Sequence, residues 1–90
     1  MPTVTFTSAL TRHVGALPTF NVDAATVGQA LDKVFAEQPK LRSYVLEDGG
    51  AVRQHVAIFV DGLSLHDRTT LADAVGQDTE IHVLQALSGG

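Results

Sequence analysis

Four histidines, ten carboxylates and a terminal glycine pair are the residues of this chain that could take part in chemistry. His13, His55, His66 and His82 lie in different segments, without the i, i+4 spacing that sets two imidazoles on one helical face around zinc. No metal site is expected from them. Asp67 and Asp73 have no carboxylate partner at catalytic spacing and are assigned to a loop surface. Ser8 and Ser64 lack the strand–turn–helix setting that exposes a nucleophilic serine. The chain has no cysteine. That excludes a disulfide framework, a thiol nucleophile, a thiolate metal site and a cysteine-ligated iron–sulfur cluster. Nothing in it assembles an acid, a base and a pocket, so it is expected to bind no cofactor and not to be an enzyme itself.

The elements that would position these residues follow from periodicity. Thr3-Val4-Thr5-Phe6-Thr7 alternates polar and apolar, as a half-buried strand does, with Val4 and Phe6 inward. After a turn around Thr11–Gly15, Leu17–Val22 holds a second alternating stretch with Leu17, Phe20 and Val22 as its apolar members. Pro18 places it at a sheet edge, and the two strands read as a hairpin. Val27, Ala30, Leu31, Val34 and Phe35 recur at three and four residues, which draws one apolar stripe on a helix. Thr26 with Gln29 matches a capping box at its start, and Pro39 ends it. Lys40–Leu46 reads as one further helical turn or as an irregular crossing over the core.

Glu47-Asp48-Gly49-Gly50 signals a turn, and His55–Val60 is the most strand-like run. Asp61-Gly62 is a tight-turn dipeptide leading into a short strand at Leu63–Leu65. Arg68–Ala74 reads as a loop with a single helical turn, and Gly76-Gln77-Asp78 as a turn. Glu80–Gln85 is the last strand, with Ile81 and Val83 inward. The order predicts an α+β fold, a mixed sheet of four to five strands with one main helix packed on one face. That is the order of the ubiquitin-like β-grasp fold, although periodicity by itself leaves other topologies open.

Ninety residues make one small domain, which buries a little over ~60% of its unfolded surface. At 44% hydrophobic and 18% charged it fits neither the disordered nor the membrane class. No apolar run approaches the ~18 residues of a membrane span. Met1–Leu10 is interrupted by polar residues and lacks the layout of a signal peptide, so a cytoplasmic location is expected. The net charge is −4, and Arg12, Lys33, Lys40, Arg42, Arg53 and Arg68 are scattered, unlike a nucleic-acid footprint. A mildly acidic surface suits a partner with a basic docking face.

The end of the chain is the remaining candidate. At ~7% glycine usage, two glycines in the last two positions arise by chance in about 0.5% of chains. Ala86-Leu87-Ser88-Gly89-Gly90 carries no secondary-structure signal and reads as a flexible tail on a body of residues 1–85. With the tail, the chain resembles the MoaD/ThiS family of ubiquitin-like sulfur carriers. The resemblance rests on Ser8-Ala9-Leu10-Thr11-Arg12 with Gly15, on Ala25-Thr26-Val27-Gly28, and on Val56-Ala57-Ile58-Phe59-Val60-Asp61-Gly62. It is completed by Asp78 through Gly90, and the strand-plus-Gly-Gly ending is its most specific part. The long connection at Pro39–Arg53 is similar to the larger, MoaD-like members. Many relatives carry a proline near the position of Gln85, before the tail, where this chain has none.

The resemblance implies that an ATP-dependent activating enzyme adenylates the Gly90 carboxylate. A sulfur donor then displaces AMP, and the resulting thiocarboxylate supplies a client enzyme; the length favours a molybdopterin synthase with this chain as its small subunit, while cysteine or thiamin synthesis, tRNA thiolation and secondary metabolism stay open. The chain would be a monomer when free and part of a hetero-oligomer with its client. The chemistry is consistent with the tail. A carboxylate oxygen is a poor leaving group, so it must become a mixed anhydride before sulfur can attack. The enclosing site must exclude water, or the adenylate would hydrolyse. Glycine lets the surrounding backbone approach closely, and five extended residues reach at most ~17 Å.

Docking needs a face. Ile81 and Val83 inward leave His82 and Leu84 outward on the last strand. Val56, Ile58 and Val60 inward leave Ala57 and Phe59 outward on the central one. Phe59 beside Leu84 would form an apolar patch leading to Leu87, Ser88, Gly89 and Gly90, similar to the recognition face of ubiquitin. Two other readings share the fold: a protein modifier joined through Gly90 to lysine amines, and an interaction module with an inert tail.

Overall fold

A first strand, β1 (Thr3–Phe6), alternates half-buried threonines with buried Val4 and Phe6, as its sequence predicts. The protein is represented by a computed structural model, which describes residues 1–7 and 19–85. The expected turn at Thr11–Gly15, the residues Ser8, His13, Leu17 and Pro18, and the tail Ala86–Gly90 lie outside the described residues. β2 (Phe20–Asn21) pairs antiparallel with β1 and is shorter than the stretch expected. Val22 still donates its amide to the carbonyl of Pro2 at 3.0 Å and is buried.

Helix α1 (Val27–Glu37) buries the predicted stripe of Val27, Ala30, Leu31, Val34 and Phe35. Thr26 caps it, its hydroxyl accepting from the Gln29 amide at 3.2 Å. The Gln29 side chain accepts from the Ala25 amide at 2.9 Å, one residue earlier than in a standard capping box. Thr26 itself bridges to Ala74 across the loop described below. Pro39 both ends this helix and opens the next. A proline pushes the preceding residue out of helical geometry, yet it suits a first helical position, where its missing N–H is no loss. The ambiguous segment is therefore a helix, α2 (Pro39–Val45), longer than one turn, with Leu41 and Val45 buried at i, i+4 and Tyr44 exposed.

β3 (Val56–Val60) turns at Asp61-Gly62 into β4 (Leu63–Ser64), and β5 (Glu80–Gln85) closes the fold. Asp61 at φ 50° and Gly62 at φ 84° both take the left-handed conformation, the requirement of the two-residue hairpin turn that their sequence predicted. The sheet order is β2-β1-β5-β3-β4. The last strand thus lies in the centre. It runs parallel to β1 from Thr3↔Glu80 to Phe6↔Val83 and antiparallel to β3 from Val56↔Gln85 to Val60↔Ile81. The core fills the space between the helices and one face of this sheet, with Leu31, Leu41, Ile58, Ile81, Val4 and Val83 among its fully buried members. Phe6 and Phe20 meet edge to face there, centroids 6.1 Å apart. The expected β-grasp sheet of four to five strands with one main helix is thus found with five strands, and α2 adds a second helix to α1. Among the described residues no helix is long and apolar enough to cross a membrane.

The connection from β4 to β5 is built by two aspartates. The carboxylate of Asp73 accepts from the amides of His66 and Asp67, each at 2.9 Å. That of Asp67 accepts from the amides of Thr69 (3.1 Å), Thr70 (2.9 Å) and Ala72 (3.4 Å), and from the Thr70 hydroxyl. The Thr70 hydroxyl bond is the largest cause holding the Asp67 carboxyl at about 2, below its usual 3.8; the Thr70, Thr69 and Ala72 amides add to it. The Leu71 amide bonds the Asp67 carbonyl at 3.0 Å, the single helical turn expected. Leu71, buried at φ 56°, then offers its carbonyl to the Gly28 amide at 2.9 Å, while the Asp73 carbonyl takes the Val27 amide at 3.0 Å. Two otherwise orphaned donors of the α1 N-terminus are satisfied in this way. A Cβ on Gly28 would stand 3.2 Å from the Leu71 carbonyl oxygen, which explains a glycine in the first turn of a helix.

Candidate functional site

The candidate site starts where β5 leaves the sheet, paired with β1 as far as Val83 and with β3 as far as Gln85. The Thr7 amide continues the β1 ladder by donating to the Val83 carbonyl at 3.1 Å, and Val56 at the start of β3 faces Gln85. Leu87, Ser88, Gly89 and Gly90 lie beyond this point, outside the described residues. What the structure shows is the base on which they are mounted.

The three residues expected on the docking face come together. On β5, Ile81 and Val83 are fully buried on the helix side, so His82 and Leu84 occupy the opposite, open face, both half-buried. On β3, Val56 and Ile58 are buried while Ala57 and Phe59 share the open face, also half-buried. Val60 packs partly against the core from the helix side. The register refines the expected patch. Phe59 stands directly across from His82, and Ala57 across from Leu84. Phe59 and Leu84 are therefore diagonal neighbours, a relation that spans about 7–8 Å between strands and stays within reach of an aromatic ring.

Across β5 from Phe59, Thr5 faces His82, and its hydroxyl lies 3.3 Å from that of Thr19. Ser64 lies on the other side of Phe59. The open face thus grades from hydroxyls on β1 to apolar groups on β3 and the end of β5. The His82 imidazole reaches to 3.9 Å from the exposed Glu80 carboxylate. Such a face can bind a partner. Among the described residues no three of His, Asp and Glu gather as a metal site.

Two contacts at this site have no signal in the local sequence. Arg68, half-buried, donates through Nη2 to the carbonyls of Arg53 (2.8 Å) and Val56 (2.7 Å), which ties the β4–β5 loop to the start of β3. Asp61, expected to serve only the turn, also accepts the Glu80 amide at 2.9 Å on its carboxylate and donates its own amide to the Glu80 carbonyl at 2.9 Å. It fastens the far end of β5. The Asp-Gly dipeptide announced the turn and nothing in it announced the clasp.

Neither a family model nor a curated protein matches this sequence. Solved structures do match. SAMP1 from Haloferax volcanii is 27% identical, with a TM-score of 0.78 over 99% of this chain and 98% of that one. The Amycolatopsis orientalis BexX/CysO complex contains a chain matched over the full length of both, at 18% identity and a TM-score of 0.83. CysO of Mycobacterium tuberculosis matches at 19% identity and 0.81, over 97% of this chain and all of its own. At their identities the last two establish the fold. The architecture is the ubiquitin-like β-grasp. Its neighbours are ubiquitin-like proteins of the MoaD/ThiS type, the resemblance already carried by the sequence.

Proposed function

We propose that this chain is a sulfur carrier whose reactive group is the Gly90 carboxyl. In this reading an ATP-dependent enzyme adenylates Gly90, a sulfur donor displaces AMP, and the thiocarboxylate passes to a biosynthetic client in the cytoplasm. The observation that carries the reading is the placement of β5. A central strand bonded on both sides leads directly into Ala86-Leu87-Ser88-Gly89-Gly90, so the body can dock while a thin segment enters a closed site. Half-buried Leu84 next to that exit, with His82 and Phe59 further back along the same open face, supplies a face for docking. The chain contributes binding and delivery; ATP and all catalytic groups belong to the partner. The long connection containing α2 supports a client of the molybdopterin synthase type.

Intact mass of the protein from its native host, under conditions that preserve thioacids, tests this directly. A species with one oxygen replaced by sulfur, mapped to Gly90 by fragmentation, is expected, and deletion of Gly89-Gly90 should abolish it with the fold unchanged. Only free carboxylate, even with the host's activating enzyme and ATP supplied, would refute the reading in favour of an interaction module. The modifier reading has its own support in the 27% identity to SAMP1, described elsewhere as small archaeal modifier protein 1 of the same organism. Isopeptide adducts of Gly90 on target lysines would establish it.

A further inference from the structure

Four strand ends meet on the side of the sheet away from Gln85. β1 begins there at Thr3, facing Glu80 at the start of β5, and β3 ends there at Val60, facing Ile81. Just after β2, Val22 donates to the Pro2 carbonyl at the same end. An open cleft of about 380 Å³ is cut into this end, and its walls include Met1, Pro2, Asp23, Ala24, Ala25 and Val75. Those walls are tied in place. The Val75 amide donates to the Ala25 carbonyl at 2.9 Å, the Thr3 amide to the Thr79 carbonyl at 3.0 Å, and the Gly76 amide to the Thr79 hydroxyl at 2.8 Å. A cleft with fixed, mostly apolar walls and one carboxylate suits a group that is apolar along its length and cationic at its tip.

The charge around the cleft is predominantly negative. Asp23 stands in its wall, Asp78 and Glu80 flank the start of β5, and the Asp61 carboxylate accepts the Glu80 amide at 2.9 Å. Facing these four carboxylates are the α-amino group of Met1 and His82, whose imidazole lies 3.9 Å from Glu80. Among the described residues every lysine and arginine lies elsewhere. Lys33 is about two turns along α1 from Thr26 and sits beside Asp32. Lys40 and Arg42 are on α2, and Arg68 bonds the Arg53 and Val56 carbonyls at the opposite end of β3. Two large apolar side chains are exposed at the cleft's end of the sheet, Met1 at 59% and Leu63, across from Val60, at 71%. From β2 to β3 is three strand spacings, about 14 Å, a span that calls for an extended partner.

We propose that this cleft docks a basic segment of a partner protein, the aliphatic stem of one lysine or arginine lying against Pro2, Ala25 and Val75 with its cation at the Asp23 carboxylate. Further basic residues of the same segment meet Asp78, Glu80 and Asp61, and its apolar residues cover Met1 and Leu63. The net charge of −4 alone suits a basic partner face; the cleft gives that face a place and a shape. The site does not depend on the reading of Gly90. It lies at the start of β5, whereas Gln85 ends that strand at the other side of the sheet. A partner seated in the cleft therefore leaves the open-face residue Leu84 and the end of β5 free for a second protein.

The test is an amide chemical-shift titration of the full chain with an acetylated, amidated hexalysine peptide at low salt. Shifts are expected at Ala24, Ala25 and Val75 and not at Leu84 or Gln85, and added salt should weaken binding. Asp23→Lys should raise Kd about tenfold and Asp23→Asn about threefold. Glu37→Lys makes the same change in net charge at the far end of α1 and should leave Kd within about twofold. Ala25→Trp fills the cleft without altering charge and should raise Kd about tenfold; should it fail to fold, as its spectrum would show, Ala25→Leu serves. Shifts spread over the whole surface, or equal losses in Asp23→Lys and Glu37→Lys, overturn the site as general charge attraction. An unchanged Kd in the folded cleft-filling variant overturns the cleft. Spermine bound at the same amides as tightly as the peptide overturns the protein partner, and the absence of any shift overturns the whole proposal. None of these results bears on the mass of Gly90, so the carrier reading stands or falls separately.

Discussion

Replacing Phe59 by alanine separates what the open face does for the fold from what it does for a partner. Phe59 is partly buried on the side of the sheet away from the core, whereas Phe6, two strands away and on the helix side, is only 8% exposed. A phenylalanine covers roughly 150–250 Å². Truncating Phe59 gives up roughly 100 Å² of that burial, or about 2 kcal/mol at ~25 cal/mol per Å², with no cavity to add because the gap opens to water. Phe6→Ala removes a core ring, leaves a void and should cost about 3–5 kcal/mol. At about 4–8 °C per kcal/mol for a domain of this size, Phe59→Ala should lower Tm by about 10 °C and Phe6→Ala by about twice that. Binding should rank them in reverse. An aromatic anchor at the centre of an interface contributes about 2 kcal/mol or more, so Phe59→Ala should weaken Kd for the activating enzyme about 30-fold. Folded Phe6→Ala should bind normally. Thermal unfolding and titration calorimetry on the same preparations decide the matter. A Kd within twofold of the parent would remove the open face from docking, and a Tm loss equal to that of Phe6→Ala would mean that the ring serves the core.

Two further outcomes follow from the turns. The Asp67 carboxyl is held at about 2 against its usual 3.8, so its bonds to the Thr70 hydroxyl and the neighbouring amides stabilise the fold fully above about pH 4. That contribution is lost as pH falls through about 2. The Thr70 amide resonance should titrate with a midpoint near 2, and Asp67→Asn should flatten the stability profile between pH 4 and 2; a midpoint near 4 would show that the bonds are not made. Gly62 has open space around the position of a Cβ but sits at φ 84°. Gly62→Ala should therefore cost about 1–2 kcal/mol from backbone conformation alone, read as a lower urea midpoint, with Gly62→Asn losing less. An unchanged midpoint for Gly62→Ala would mean that the turn relaxes to another conformation.

Where a local pattern decided the structure, the sequence was legible. The three-and-four spacing from Val27 to Phe35 gave the helix and its buried stripe, and Asp61-Gly62 gave the hairpin turn together with its left-handed backbone. Alternation along Glu80–Gln85 placed His82 and Leu84 on one face, because a half-buried strand must put every second residue in water. Proline was harder, since the same Pro39 that stops α1 starts α2. Only the burial of Leu41 and Val45, a tertiary fact, distinguishes a helix from an irregular crossing. The least legible features were contacts between residues distant in sequence. Nothing near Arg68 announces that it will meet the carbonyls of Arg53 and Val56, and nothing near Asp67 or Asp73 announces that their partners are amides and a hydroxyl. Register is of the same kind. It set Phe59 opposite His82 where Leu84 was expected beside it, and only the pairing of β3 with β5 fixes that.

The central position of β5 has a mechanical side. A partner that draws the tail into a narrow channel pulls on this strand along its own axis. β1 lies parallel on one flank and β3 antiparallel on the other, so the pull loads both ladders in shear. Their hydrogen bonds must then yield together, where an edge strand peeled sideways would lose them one at a time. Tension applied at the last residues therefore meets the stiffest direction of the sheet. Under the proposed function, the body would serve as a handle that resists being pulled apart by its end.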